Sequence, residues 1–539
     1  MGGIDSDVNE HLRKRASLIA TENALRFDSG AITNATENEK RAVEIVENLR
    51  MCGAKEIWNA SEGVLMHPGM DFLTAKEIIM NTGLYKIMKQ LPKGGLLRGH
   101  LNTMCDVKFI YNLALEYPAI HIRVNSKVTP NAPLPMPEFK PLPPNLIMQY
   151  AGTPLLTCAN YVPGTWISLQ KARNGFLYGG PEGFDKWILG SATLGAGAGT
   201  KNYAALTKVH ANLLNGYRLS RGIVCYEPVL KRVLRRIILS LIEDGICYAE
   251  IRTNFSYKMD IREDGSETLS HRDYLILFDE AIQEIKDRMR SEGRDDEFVG
   301  AKLIYCVFRT FNKEKLRWYL EDCMALKAEF PNLIAGFDFL GPERRGHPLE
   351  YYIEPLVWFK QETKNRGLDI PFVFLVGEPM SSEDKSDSNL YDALLLGAKR
   401  IGHGLNLAKH PLLMQMAKER GVAVEVCTIS SELLGLTSPI HHPLTTLLNY
   451  GVPVVLCPDN PASYGYAGLS FDFFQAMVCS TSSNLLSLKQ LAKQSIQYSC
   501  LNAEEMKNAY EAWGKRWSVF VDTIVSGRFE PPNIDGKQI

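Results

Sequence analysis

Residues 400–427 read RIGHGLNLAKHPLLMQMAKERGVAVEVC and contain a complete strand–helix–strand unit. The short run 400–403 ends at His403, which stands between two glycines, and the run 423–427 is largely apolar. Between these runs, the segment from His410 to Arg420 carries apolar residues at helical spacing. Apolar strands that alternate with helices indicate a parallel sheet whose two faces are both covered.

The same alternation continues on both sides of this unit. Further candidate strands lie at 95–100, 245–252, 301–308, 333–339, 372–377 and 453–457. Eight such units favour a closed (β/α)8 barrel of the TIM type, with a doubly wound sheet as the alternative on pattern alone. Because the active sites of these barrels lie at the carboxyl ends of the strands, we expect the functional residues there.

The parts of the chain around the barrel differ in character. Residues 1–90 are polar with helical periodicity, strongest at 38–51 and 74–90, and predict an N-terminal helical arm. The barrel is expected to span 91–525, with a long insertion after the first strand at about 110–240, and residues 526–539 form a C-terminal tail. Seven prolines in 128–146 predict an extended surface excursion without regular structure.

Composition restricts the partners. The chain is 45% hydrophobic and 22% charged, with a formal net charge of −1, so it lacks the basic surface that nucleic-acid binding requires. No apolar run is long enough to predict a membrane span. The polar start of the chain and the 11 scattered cysteines favour a cytoplasmic protein with reduced thiols. We therefore expect a small-molecule substrate, no nucleic acid and no membrane.

Four polar residues at or near predicted strand ends could carry chemistry: His100, Glu378, His403 and Asp459. A carboxyl group in a pocket has a raised pKa and can transfer protons, and a histidine between glycines is open to a ligand. Taken singly, each could also be a packed histidine, a rim acid or a turn residue. Their order and spacing along the chain carry more weight than any one of them.

That order resembles the adenosine deaminase family, and most closely its growth-factor-related branch. Similar segments are LPKGGLL at 91–97, AGFDFLG at 335–341, RIGHG at 400–404, GLSFDF at 468–473 and WGKRW at 513–517. The resemblance covers roughly residues 58–521. It implies hydrolytic deamination of a purine nucleoside, with a zinc ion bound by three histidines and an aspartate. It also implies a dimer formed through the N-terminal arm.

The match to the family's site is partial. By resemblance, His100 and Asp459 are two of the zinc ligands, Glu378 is the proton-transfer glutamate and His403 is the histidine that orients the attacking water. Arg98 and Leu375 stand where the other two histidine ligands are expected, and Asn460 replaces the second aspartate. Leucine cannot coordinate a metal, and arginine brings a permanent charge to the place of the dication.

These replacements predict no metal and no other cofactor, with zinc as the alternative. The first hypothesis is a metal-independent enzyme on a repurposed deaminase barrel, which performs elimination, isomerisation, cyclisation or hydrolysis on a small polar metabolite, anionic or heterocyclic. Its catalytic residues would be Glu378, His403, Asp459 and Arg98. Its substrate-binding residues would be His100, Asn460, Asp338, Gly341 and Gly377.

Two other hypotheses stay open. The first is a zinc-dependent deaminase of adenosine or another purine nucleoside, with additional ligands from Cys105, His347 or Cys457. The second is a non-catalytic descendant that binds a ligand or a protein.

Overall fold

The computed structural model describes residues 2–54, 70–129, 132–194, 203–378, 385–438, 441–480 and 483–528. The strands in these ranges are β1 (Gly94–Leu96), β2 (Ile120–Val124), β3 (Pro137–Pro141), β4 (Ile167–Ser168), β5 (Ile246–Asn254), β6 (Met259–Asp260), β7 (Leu269–Ser270), β8 (Gly300–Phe308), β9 (Ile334–Leu340), β10 (Leu375–Val376), β11 (Arg400–His403), β12 (Ala423–Val426) and β13 (Val454–Leu456).

The α-helices in the same ranges are α1 (Gly2–Ala24), α2 (Ser29–Thr33), α3 (Glu37–Gly53), α4 (Phe72–Met80), α5 (Gly83–Gln90), α6 (Val107–Glu116), α7 (Pro144–Tyr150), α8 (Leu169–Asn174), α9 (Gly180–Ala192), α10 (Tyr203–Val224), α11 (Glu227–Glu243), α12 (His271–Ser291), α13 (Lys313–Glu329), α14 (Ile353–Asn365), α15 (Asn389–Leu396), α16 (Pro411–Arg420), α17 (Thr428–Leu433), α18 (Leu444–Tyr450), α19 (Ser470–Val478), α20 (Leu485–Gln497) and α21 (Ala503–Ser526).

Eight parallel strands form the centre of the molecule. One sheet has the order β1-β5-β8-β9 and a second has the order β10-β11-β12-β13. Single parallel bridges join the sheets on both sides, from Phe337 to Phe372 and from Gly99 to Asp459. The two sheets therefore close into one barrel, which confirms the predicted (β/α)8 fold and excludes the open, doubly wound alternative.

Local sequence explains where the outer helices begin. Asn312 caps α13 by accepting from the backbone N–H of Lys315, and Ser270 and Asn502 form capping boxes with Asp273 and Glu505 at α12 and α21. These side chains satisfy backbone donors that the first helical turn leaves unpaired. No helix in the described ranges combines the length and apolar character of a membrane span.

The strand predicted at 372–377 is only two residues long, as β10. The backbone N–H of Leu375 donates to the Asp338 carboxylate at 2.9 Å, so a side chain takes the place of a ladder partner at this point. The other seven barrel strands lie where the pattern predicts them, to within a few residues.

The insertion between β1 and β5 contains a three-stranded antiparallel sheet of order β3-β2-β4 and the helices α6 to α11. The prediction that 128–146 lacks regular structure is wrong, since β3 and the start of α7 lie within it. β3 is an edge strand, where the missing N–H of proline is tolerated, and Pro144 occupies the first position of α7. Residues 130–131 lie outside the described residues.

The N-terminal segment is largely helical within residues 2–54 and 70–90, and its helix α3 packs against α20 and α21. One helix was expected at 74–90, but the structure has two, since α4 ends at Met80 and α5 begins at Gly83. The second helix begins there because the Thr82 hydroxyl accepts a hydrogen bond from the backbone N–H of Tyr85 and caps it. The boundaries of the arm, the barrel and the tail stay predictions, and residues 529–539 of the tail lie outside the described part of the chain.

Candidate active site

The carboxyl ends of β1, β11 and β13 bring His100, His403 and Asp459 together. Asp459 also forms a backbone bridge with Gly99, so the ends of the first and last barrel strands are joined at this point. His403 and Asp459 are the non-glycine residues with positive φ in the described chain, at 62° and 61°. A side chain in this conformation costs free energy, and such strain is concentrated at functional sites.

Asp459 is the centre of the cluster. Its Oδ1 lies 3.1 Å from Arg98 Nε and 3.2 Å from His100 Nε2. Its Oδ2 accepts from Ser430 Oγ at 2.8 Å and from Asn460 Nδ2 at 2.7 Å, and lies 3.8 Å from His403 Nε2. Burial raises the pKa of Asp459, but the charge of Arg98 and the hydrogen bond from His100 outweigh it and hold that pKa well below its usual value.

The two histidines favour the neutral form. Burial lowers the pKa of His403, and the charge of Arg98 lowers it further, against the charges of Asp459 and Glu378. Burial also lowers the pKa of His100, more than Asp459 raises it. The Nδ1 atom of each ring has no hydrogen-bond partner among the described residues. Neutral imidazole is the form that accepts a proton or binds a metal.

Arg98 belongs to a buried network of charges inside the barrel. Its guanidinium contacts Asp459, Glu425 at 3.5 Å and Asp338 at 4.0 Å. The network comprises three guanidiniums and four carboxylates: Arg98, Arg252, Arg400, Glu250, Asp338, Glu425 and Asp459. With these groups ionised, four negative charges against three positive charges leave one negative charge in excess.

The predicted substrate-binding residues differ in their surroundings. Asp338 accepts from Arg252 Nε at 2.8 Å and from the backbone N–H groups of Phe339 and Leu375, so its contacts all lie inside the barrel. Asn460 donates to Asp459 and accepts from Thr103 Oγ1 at 2.8 Å, which fixes the orientation of its amide. Gly341 and Gly377 both have positive φ, at 109° and 74°, and Gly377 immediately precedes Glu378.

A second buried acid, Glu343, positions Glu378 and was missed in the sequence. Glu343 accepts from the backbone N–H groups of Gly377 at 3.2 Å and Glu378 at 2.9 Å, and from Asn389 Nδ2 at 2.7 Å. Burial raises the pKa of Glu343 to about 7, although the charge of Arg309 opposes the shift. The signal was present, because Glu343 follows the end of β9 as Glu378 follows the end of β10.

Cys427 also belongs to the cluster, and it was interpreted from sequence only as part of an apolar run. The candidate ligand atoms of His403, Cys427 and Asp459 all lie within 4.8 Å of one another, and all three residues are buried. Neither Cys105, His347 nor Cys457, which were considered as extra ligands, is in such a group in the described chain. The position of Cys427 directly after β12 was the signal that could have identified it.

These side chains fit a zinc ion in their donor chemistry. Imidazole nitrogen, thiolate sulfur and carboxylate oxygen are the ligands that zinc takes in proteins. Arg98 disfavours a dication at this site, because its guanidinium contacts the Asp459 carboxylate that would also bind the ion. The repulsion between the guanidinium and the ion amounts to several kcal/mol even at a high effective dielectric. The excess negative charge of the surrounding network offsets that repulsion.

The closed parallel barrel, with imidazoles and carboxylates at its strand ends, has the fold of the TIM-barrel amidohydrolases. A zinc-bound amidohydrolase from Burkholderia ambifaria shares the fold, with a TM-score of 0.54 and 16% identity over 82% of this chain and 95% of that chain. The adenosine deaminase family profile matches residues 202–512. This chain belongs to the adenosine deaminase family.

Relatives match over almost their whole length. Adenosine deaminase 2-A of Danio rerio is 30% identical over 94% of this chain and 93% of its own. Adenosine deaminase 2 of Dictyostelium discoideum is 29% identical over 97% of this chain and 90% of its own. The resemblance seen in the sequence is therefore confirmed, as is the prediction that the chain is an enzyme.

Two predictions from the sequence are wrong. The metal-independent enzyme of another reaction class is contradicted by the family and by near-full-length relatives that are named adenosine deaminases. The expectation of no cofactor is contradicted by the same membership, since the family's hydrolysis uses zinc. Both errors arose because Arg98 and Leu375, which stand where two histidines were expected, were given more weight than the resemblance of the whole chain.

Proposed function

We propose that this chain is a zinc-dependent hydrolase that deaminates adenosine or a closely related purine nucleoside. The observation that carries the proposal is the convergence of His100, His403 and Asp459 at the mouth of the barrel, with strained backbone at the last two. In the reaction, the oxygen of water bonds to C6 of the purine, the exocyclic C–N bond breaks and ammonia leaves. No oxidant or reductant takes part.

Zinc supplies a Lewis acid that lowers the pKa of water to near neutrality. The residues that would hold the ion are those around Asp459, with carboxylate, imidazole and thiol donors within reach of one another. Arg98 and Ser430 keep the Asp459 carboxylate ionised and oriented.

The chain's own side chains have distinct tasks in the reaction. Glu378 holds the proton that goes to the purine ring nitrogen, and Glu343 fixes the backbone from which its side chain extends. His403, neutral and 3.8 Å from Asp459, would supply an imidazole nitrogen to the ion, and the proton of the attacking water would pass to Glu378. Asn460 holds the base with an amide where the family has a carboxylate, so it can both donate and accept.

Ammonia release from adenosine tests this proposal, with Glu378→Gln as the informative variant. Gln cannot give up the proton, so we expect kcat to fall by about 10²- to 10⁴-fold with little change in KM. Glu354→Gln is the matched control, since Glu354 is an exposed residue of α14 whose contact is an exposed ion pair with Lys313. Equal activity of wild type and Glu378→Gln would contradict the assigned role, and absence of ammonia from the zinc-loaded wild type would contradict the proposed function.

Location and assembly also belong to the proposal. A cytoplasmic enzyme with a small-molecule substrate, assembled as a homodimer through the N-terminal helices, fits the composition and the family resemblance. Sedimentation of the full chain at micromolar concentration would contradict the dimer if it gave a monomer.

A further inference from the structure

We propose that Cys427 is a zinc ligand in this site, together with His403 and Asp459, and compensates for the histidines replaced by Arg98 and Leu375. The inference rests on the proposed zinc-dependent function and assigns the ligand set of the same site. Cys427 is fully buried directly after β12, and its Sγ lies within 4.8 Å of ligand atoms of both partners.

The thiol is free to coordinate. Among the described residues, its one hydrogen bond is a weak contact of 3.6 Å to the backbone carbonyl of Glu425 in β12. Neither it nor any other cysteine of the described chain is in a disulfide. Loss of the thiol proton on metal binding therefore breaks no strong interaction.

The imidazole of His403 is also able to accept a ligand bond. His403 is buried, and its Nδ1 has no hydrogen-bond partner among the described residues. The positive φ of His403 and of Asp459 sets the direction in which each side chain leaves its strand. His100, whose Nε2 lies 3.2 Å from Asp459 Oδ1, flanks the same carboxylate.

Charge balance favours a negatively charged thiolate over a neutral side chain as the additional ligand. The surrounding network carries one negative charge in excess, from four carboxylates and three guanidiniums. A zinc dication with one thiolate adds one positive charge, so the buried cluster becomes neutral. With only neutral ligands added, the same ion would leave an uncompensated positive charge beside Arg98, which burial strongly disfavours.

X-ray absorption at the zinc edge tests the inference on the purified full chain loaded with zinc. We expect one sulfur neighbour at about 2.3 Å in addition to nitrogen and oxygen neighbours at about 2.0–2.2 Å. Cys427→Ser should lose the sulfur neighbour and bind zinc at least about tenfold more weakly, because removal of even an outer-shell partner has an effect of that size. Cys457→Ser is the matched control, a neighbouring buried thiol directly after β13, and should keep the sulfur neighbour.

The wild-type spectrum decides the matter even if a variant does not fold. Bound zinc without a sulfur neighbour would overturn the ligand assignment, and so would a sulfur neighbour that is lost in Cys457→Ser and kept in Cys427→Ser. Ammonia release from adenosine, measured on the same sample, separates the two proposals. Deamination by a zinc site without sulfur would leave the proposed function standing, whereas a zinc–sulfur site without deamination would contradict the function and support the ligand.

Discussion

Asp459 interacts with side chains from several different parts of the barrel. Arg98 and His100 approach one oxygen, and Ser430 and Asn460 donate to the other. Each partner restricts the carboxylate, and together they hold it ionised in a fully buried place. At the scale of single residues, the site is therefore a preorganised anion that lies beside neutral imidazoles and a thiol.

Glu343 gives the protein a pH-dependent stability. Its pKa of about 7 in the folded chain lies above the usual 4.5, so the folded state binds a proton that the unfolded state releases as pH rises from about 4.5 to 7. The wild type should lose stability over this window relative to Glu343→Gln, by up to about 3 kcal/mol at 1.36 kcal/mol per pKa unit. Urea midpoints of the two proteins between pH 4.5 and 8 measure the difference, with Glu354→Gln as control. If the urea midpoints of the wild type and Glu343→Gln change with pH in parallel, then Arg309 and the three donors around Glu343 keep its carboxylate ionised over the whole pH range.

Strand β11 approaches Arg98 so closely that only glycine fits at position 402. A Cβ on Gly402 would lie 2.2 Å from Arg98 Nη1 and 3.3 Å from the Leu375 backbone. Gly402→Ala should therefore destabilise the protein by about 1–3 kcal/mol, the usual cost of overpacking. Unfolding by urea measures the change, and Gly514→Ala is the control, since a Cβ there meets nothing within 4 Å. An unchanged midpoint for Gly402→Ala would place the guanidinium elsewhere.

Helix α3 of the N-terminal segment is attached to the barrel by a buried polar contact. Trp517 Nε1 on α21 donates to Glu39 Oε1 on α3 at 2.7 Å, and Lys489 on α20 pairs with the same carboxylate. Trp517→Phe leaves a buried acceptor short of one donor, which costs about 1–3 kcal/mol. Limited proteolysis should then release the N-terminal helices faster than in the control Trp318→Phe, whose indole is 41% exposed. Equal rates would mean that the hydrogen bond from Trp517 does not contribute to holding α3 against the barrel.

At the scale of elements, the sequence predicted most of the barrel and less of its surroundings. Apolar strands such as β5, β9 and β12 were identified because they are buried on both faces. β3 was missed, since a proline-rich edge strand has no distinctive periodicity. Cys427 was missed for a related reason: its partners His403 and Asp459 are distant in sequence, and only closure of the barrel brings the three together.

Across the whole molecule, zinc should stabilise the folded state, because the site exists only when the barrel is closed. At a free zinc concentration of about 100 times Kd the gain is about 2.7 kcal/mol, or roughly 2 °C in Tm for a chain of this size. Chelation should lower the Tm by that amount, zinc should restore it and magnesium should not, as measured by calorimetry. A Tm that stays the same after chelation would contradict a zinc site in the native protein.

The most direct measurement combines zinc content with ammonia release from adenosine on one sample of the purified full chain. We predict close to one zinc per chain and ammonia equal in amount to the adenosine consumed, both lost on chelation and both regained with zinc. A chain that is fully loaded with zinc and folded, yet releases no ammonia from adenosine or a related purine nucleoside, would contradict the account.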